Sequence, residues 1–275
     1  MSSNQATTYL FEKNNGDVLE HFIDPRTLFA FDLDGTLAPI VSDPGAIGIP
    51  DPVRKEIAVL NERVFVAVIT GRSRLDALRH LAFAPSYLIG NHGAEGLPGW
   101  ESRTQEFVRT VSGWQDQLAA FLPDRERRGL SMENKGASLS IHYRHASDIN
   151  AARGLILRAV NRLSPQPRRI SGICIENLIP HNAPDKGVAL TLLMQETGCP
   201  KAFFAGDDET DEDVFRLGHE NIFTVRVGRK TGSLAQFHLQ SQREMVRLLR
   251  AINGIIGRQQ NNVAANPKIT SAGHP

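Results

Sequence analysis

Residues 28–33 read Leu-Phe-Ala-Phe-Asp-Leu, an apolar run that turns abruptly polar across Asp32-Leu33-Asp34-Gly35-Thr36. A run without polar alternation is the pattern of a parallel strand covered on both faces, because neither face meets water. It demands helices on both sides of the sheet. It also sets two carboxylates, two residues apart, at the strand's carboxyl end, the edge where open parallel sheets bind ligands. A turn at Asp34-Gly35-Thr36 accounts for one aspartate. A second at the mouth of a hydrophobic strand is costly unless it is paired or binds a metal.

Beyond this run, strand and helix alternate. Asp51-Pro52 opens a helix carried by Val53, Ile57, Leu60 and Val64. Residues 64–69 form a second buried strand that stops at Thr70-Gly71-Arg72, with a helix over 74–82 and a third strand over 87–90. This order implies right-handed crossovers in a doubly wound parallel α/β sheet. From about Gln105 the style changes: 106–110, 136–143 and 169–178 read as strands with one polar-leaning face, and 114–122 and 147–163 as amphipathic helices. Antiparallel hairpins with two helices make a smaller α+β layer. The parallel style resumes with a helix over 185–197, a strand over 202–205, a helix from Asp211, a strand over 222–227 and a helix over 244–256. The expected organisation is a discontinuous core over 25–109 and 185–257, an inserted α+β domain over 110–184, a polar lead-in over 1–24 and a disordered tail over 258–275.

The length of 275 residues suits two such parts, and 31 bases against 30 acids exclude a globally basic nucleic-acid binder. The charge is uneven, however: residues 101–172 hold twelve bases and seven acids. No stretch approaches the ~20 apolar residues of a membrane span, and residues 1–24 lack the apolar centre of a secretory signal. Cys174 and Cys199 have no metal-ligand spacing. A soluble, cytoplasmic protein without membrane or nucleic-acid partners is expected.

A second acidic cluster follows the strand at 202–205: six of the seven residues from Asp207 to Asp213 are acidic, with no base among them. Such crowding needs a counter-ion. Glu209, Glu212 and Asp213 fit the start of a helix, where negative charge is favourable. Asp207 and Asp208, directly at the strand end, are better placed for magnesium, which takes a few carboxylate oxygens and retains waters.

Taken in order, Asp32-Leu33-Asp34-Gly35-Thr36, Thr70-Gly71-Arg72, Asp185-Lys186-Gly187, and Gly206-Asp207-Asp208 with Asp211 resemble the four motifs of the haloacid dehalogenase superfamily of phosphotransferases. Within it, Asn91-His92-Gly93-Ala94-Glu95, the block from Glu133 to Arg144 and Gly206 to Glu212 look like the trehalose 6-phosphate phosphatase family. The resemblance runs from about Leu28 to Val227.

It implies a core of that superfamily's fold with a C2-type cap, a small sugar phosphate as substrate, and magnesium-dependent hydrolysis through an aspartyl-phosphate. Asp32 would be the nucleophile and Asp34 the general acid and base. Asp32, the Asp34 carbonyl and Asp207 would hold Mg2+, with Asp208 and Asp211 orienting its waters. Thr70 and Gly71, next to Arg72, would meet phosphate oxygens, and Lys186 would neutralise charge. Without this context Lys186 reads equally as a surface lysine at a helix start. Glu133, Lys135, His142, Arg144 and Glu176 could hydrogen-bond sugar hydroxyls, and His92 and Glu95 the phosphate-proximal sugar. His142 could equally be a buried, satisfied histidine.

One stretch departs from the family pattern. In the family the sugar-binding glutamate is followed by a base and proline and a short loop to the motif lysine. Here the segment from Glu176 to Lys186 is longer, with Leu178 and Ile179 at those places. A phosphatase for another sugar phosphate (glycosylglycerol, mannosyl or sucrose phosphate) therefore stays open. A non-catalytic sugar-phosphate sensor would be expected to lack one of Asp32, Asp34, Lys186 or Asp207, and all are present.

Overall fold

The structure is a computed structural model and describes residues 7–13, 15–122 and 128–265. In chain order the elements are β1 (Thr8–Tyr9), α1 (Asn15–Phe22), β2 (Thr27–Phe31), α2 (Asp51–Asn61), β3 (Val66–Ile69), α3 (Arg74–Leu81), β4 (Tyr87–Ile89), α4 (Glu101–Phe121), β5 (Ser131–Asn134), β6 (Leu139–His142), α5 (Ile149–Val160), β7 (Pro167–Gly172), β8 (Ile175–Pro180), α6 (Lys186–Thr197), β9 (Lys201–Gly206), α7 (Glu212–Phe215), β10 (Ile222–Val227), β11 (Phe237–Leu239) and α8 (Met245–Ala265). They fall into two compact units: described residues within Met1–Ile69, Leu78–Leu88 and Leu190–Pro275 make the first, and those within Thr70–Ala77 and Ile89–Ala189 the second.

The first unit is built on a seven-stranded sheet in the order β1-β11-β10-β9-β2-β3-β4. β2 is an inner strand and pairs in parallel with β3 on one side and with the central strand β9 on the other, with Phe31 opposite Val68 and Ala205. Every residue of β2 and β3 is buried, and β9 is buried from Ala202 onward. Phe29, Phe31, Phe203 and Phe223 continue this layer ring to ring. Burying such a side chain is worth about 1.5–3 kcal/mol. The continuous apolar runs thus become what their lack of alternation requires: inner strands of a doubly wound sheet.

The second unit holds a four-stranded antiparallel sheet, β5-β6-β8-β7. Its core joins Val111, Trp114 and Leu118 of α4 to Leu139 and Ile141 of β6, Ile156 and Val160 of α5, and Leu178 of β8. Trp114 satisfies its indole by donating to the Pro165 carbonyl at 2.7 Å.

Several expectations are corrected. Residues 106–110 are helical, not a strand: Phe107, Val111, Trp114 and Leu118 recur at helical spacing and are the buried residues of α4, which passes through Gly113 without a break. Residues 169–178 belong to two strands, because the chain reverses at Ile173-Cys174, where Cys174 has φ 56°. The helix expected from Asp211 is a 3₁₀ turn followed by the four residues of α7. The tail expected from Arg258 is helical as far as Ala265, since Ile252, Ile255 and Ile256 keep α8 against the core; residues 266–275 lie outside the described residues. The lead-in contributes β1 and α1, with residues 1–6 and 14 outside the described set. No described helix is long and apolar enough to cross a membrane.

Candidate active site

In the first unit the site is built at the carboxyl ends of β2 and β9. Asp32 N donates to the Ala205 carbonyl at 2.9 Å, so Asp32 continues the sheet one step past β2 and is 4% exposed. The chain then turns tightly: Gly35 N donates to Ala38 O at 2.7 Å and Ala38 N to Leu33 O at 2.9 Å. Gly35 makes this possible with φ 84°, a conformation side chains resist. Thr36 Oγ1 donates to Asp207 Oδ1 at 3.1 Å, tying the turn to the end of β9.

Beyond Gly206 the acidic segment folds on itself. Asp208 Oδ1 accepts from Glu209 N at 2.7 Å and Asp211 Oδ2 accepts from Asp208 N at 2.8 Å, a capping box that closes the 3₁₀ turn. The consequence is a sorting of the acids. Carboxylate oxygens of Asp32, Asp207 and Asp211 lie within 4.8 Å of one another, with Asp32 and Asp211 buried. Asp208 is exposed and its side chain caps the turn, and Asp34 is half-buried; neither belongs to the converging group. An all-oxygen donor set without histidine or cysteine suits a hard cation such as Mg2+, and three clustered carboxylates cost least when one is bound.

Part of the counter-charge comes from residues outside the expected set. Arg226, on β10 opposite Gly206, is 6% exposed; its guanidinium donates to the carbonyls of Asp207 and Asp208 and, at 3.0 Å, to Glu212 Oε1. Lys230 pairs with Glu209. The crowding of Asp207–Asp213 is thus partly answered by the protein itself. The available signal was a lone arginine inside the apolar strand Ile-Phe-Thr-Val-Arg-Val.

The second unit carries the remaining candidates. Thr70 Oγ1 accepts from Arg72 N at 3.2 Å, and Arg72 pairs with Asp76 at 2.7 Å. This loop rests on the turn at residues 91–95: Asn91 N donates to Arg72 O at 2.7 Å and His92 N to Thr70 O at 2.9 Å. Asn91 Nδ2 bridges Glu95 Oε2 and the Lys135 carbonyl, and its Oδ1 accepts from Ser138. Glu95 Oε2 also caps α3 through Arg74 N at 2.9 Å. Lys186, the first residue of α6, is 1% exposed, beside Asp185, whose side chain accepts from Val188 N. Glu133 accepts from His142 at 3.0 Å with Lys135 at 4.0 Å, which holds its carboxyl below the usual range. Arg144 is exposed. Glu176 is fully buried with both oxygens engaged, by Arg153 Nε at 3.0 Å and Ser171 Oγ at 2.6 Å.

His92 is buried, in left-handed backbone at φ 60°, against Gly71, where an added Cβ would sit 2.4 Å from its ring. Burial first, then the charges of Lys186, Lys135 and Arg168, push its pKa well below 6.5, so the ring is neutral. Below pH 6.5 the unfolded chain binds a proton here that folded His92 refuses. Stability therefore falls with decreasing pH, by up to roughly 1.4 kcal/mol per unit. Replacing His92 with Gln is expected to flatten the urea-unfolding stability curve between about pH 6.5 and 5; an unchanged slope would refute the neutral assignment.

The family model for trehalose-phosphatase matches residues 30–243. The trehalose-6-phosphate phosphatase of Escherichia coli K12 is 32% identical over 207 residues, covering 70% of this chain and 75% of that protein. An uncharacterized glycosyl hydrolase of Mycobacterium tuberculosis is also 32% identical, over 202 residues and 69% of this chain, but the match spans only 15% of that much longer relative. Among solved structures, a trehalose-6-phosphate phosphatase related protein superposes with a TM-score of 0.65 at 25% identity, over 85% of this chain and 100% of that one.

Proposed function

Since the chain belongs to the trehalose-phosphatase family, we propose that it hydrolyses trehalose 6-phosphate to trehalose and inorganic phosphate through an aspartyl-phosphate on Asp32. The observation that carries this reading is the convergence of Asp32, Asp207 and Asp211 at the carboxyl ends of neighbouring parallel strands.

Phosphate-monoester hydrolysis is among the slowest uncatalysed reactions, so one site has to join nucleophile, acid and charge neutralisation. Asp32 attacks phosphorus as the bond to the sugar oxygen breaks. Asp34, on the turn beyond it, gives that oxygen its proton and then takes one from the water that hydrolyses the intermediate. Asp32, the Asp34 carbonyl and Asp207 would hold Mg2+, with Asp211 and Asp208 ordering its surroundings. When bound, the ion supplies positive charge against the phosphate oxygens. Thr70 and Gly71 offer a hydroxyl and backbone amides to phosphate, and Lys186 its charge. Glu133, Lys135, His142 and Arg144 recognise the sugar, with His92 and Glu95 behind the phosphate loop. A cytoplasmic location is part of the same proposal.

One observation favours a second substrate. Both oxygens of Glu176, the sugar ligand the family resemblance implies, are taken by Arg153 and Ser171, which leaves room for a different sugar in the same reaction. The deciding measurement is phosphate release from trehalose 6-phosphate and from a panel of other sugar phosphates, with Mg2+ and after chelation. The expected result is highest catalytic efficiency on trehalose 6-phosphate and a loss of about 10³-fold or more without metal, the several kcal/mol such an ion supplies. A clear preference for another sugar phosphate would overturn the substrate, and full activity in chelator the metal.

A further inference from the structure

We propose that Arg226 is a positioning residue for the carboxylate site, an assignment that rests on the metal-binding reading above. Its planar guanidinium holds the backbone of Asp207 and Asp208 by their carbonyls and anchors Glu212 by its carboxylate. Glu212 passes the restraint on, its second oxygen accepting from Leu234 N at 2.9 Å. Arg226 sits in a fixed frame, a buried strand whose register places it beside Gly206, the residue before the acidic loop. Fixing the carbonyls of Asp207 and Asp208 fixes the direction in which the chain leaves β9. That direction decides whether the Asp207 and Asp211 side chains converge on Asp32.

The alternative role, a plain counter-ion for the acidic loop, predicts effects of a different sign. A positive charge near a cation site weakens cation binding, so a counter-ion's removal tightens it. A positioning residue's removal weakens it, because the ligands lose their arrangement. Three variants separate the two roles. Arg226→Met removes charge and fork together. Arg226→Lys keeps the charge but replaces the fork with a point donor that cannot hold two carbonyls and a carboxylate in one plane. Arg226→Met combined with Glu212→Gln removes one charge of each sign, leaves no buried carboxylate unpaired, and keeps the carbonyl that accepts from Leu234.

The experiment measures the Kd for Mn2+ by electron paramagnetic resonance on the full chain, without substrate. The expected result is a Kd at least tenfold higher in the Lys variant and in the charge-balanced double variant, with Arg226→Met also weaker than wild type. An unchanged Kd in the Lys and double variants, or a tighter one in Arg226→Met, would overturn the proposal. If the wild-type protein binds no Mn2+, the metal-binding reading itself fails, a result distinct from equal binding by all four proteins.

Discussion

Replacing Asp32 with Asn is expected to lower turnover of the sugar phosphate by at least about 10⁴-fold, a loss of roughly 5 kcal/mol of transition-state stabilisation. The amide cannot attack phosphorus, so the covalent route closes rather than slows. The substitution keeps side-chain shape at a site only 4% exposed and leaves the backbone bond from residue 32 to Ala205 in place. An unchanged far-UV circular dichroism spectrum should therefore accompany the loss. Phosphate formation in a quenched single turnover is the direct assay, because it reports the chemical steps without product release. Residual activity of a few per cent in the folded variant would end the covalent mechanism, since water attacking directly would not need the carboxylate as nucleophile.

Gly35→Ala should be nearly as damaging although it changes no charged group. An added Cβ would lie 2.0 Å from Asp207 Oδ2 and 2.3 Å from its Cγ, far inside contact distance, at a residue held at φ 84°. Either the turn gives up its left-handed conformation, which costs a residue with a side chain about 1–2 kcal/mol to keep, or Asp207 swings away. Both outcomes separate Asp207 from Asp32 and Asp211. The expected result is a fall in catalytic efficiency of about 10²–10³-fold, in keeping with losses from small displacements of reacting groups. Added Mg2+ should restore part of it by mass action, because the ligands remain and only their arrangement is lost. Gly48→Ala is the matched control, since nothing lies within 4 Å of a Cβ there. Equal activity of both variants would show that the turn at Gly35 does not set the site.

The central strands are readable because burial on both faces leaves an unmistakable mark: β2 and β3 are short apolar runs ended by polar turns. Length and pattern fail where pairing alone defines an element. β1 has two residues and β11 three, too few to show a period, and both exist because they lie in parallel against a neighbour. In α4, Gly113 and the mixed stretch around Glu106 hide a helical repeat that only the buried set Phe107, Val111, Trp114 and Leu118 makes plain.

The acidic cluster shows the same limit at the site. That Asp207–Asp213 carries something is evident from charge crowding alone. Which of its acids turn inward depends on a 3₁₀ turn whose capping box spends the Asp208 side chain on its own backbone and buries Asp211. Such a turn is too short for any period to announce it. The same holds for Glu176: Arg153 stands 23 residues away on α5, and Ser171 faces it only because β7 and β8 pair across the reversal at Ile173-Cys174.

The pairing of β2 with β9 has a consequence for the order in which the molecule matures. Asp32 and Asp207 directly follow strands that are neighbours in the sheet but separated in the chain by all of the second unit. During synthesis Asp32 leaves the ribosome long before Asp207 and Asp211 exist. Until β9 adds to β2, the amino-terminal segment carries Asp32 at an unfinished sheet edge. Closing so long a loop late is entropically costly, although the cost grows only slowly with length. The intervening residues also gather around their own core of Trp114, Ile141 and Ile156, which shortens the free chain that must be closed. The convergence of Asp32 with Asp207 and Asp211 is thus acquired in one late step, when β9 pairs with β2.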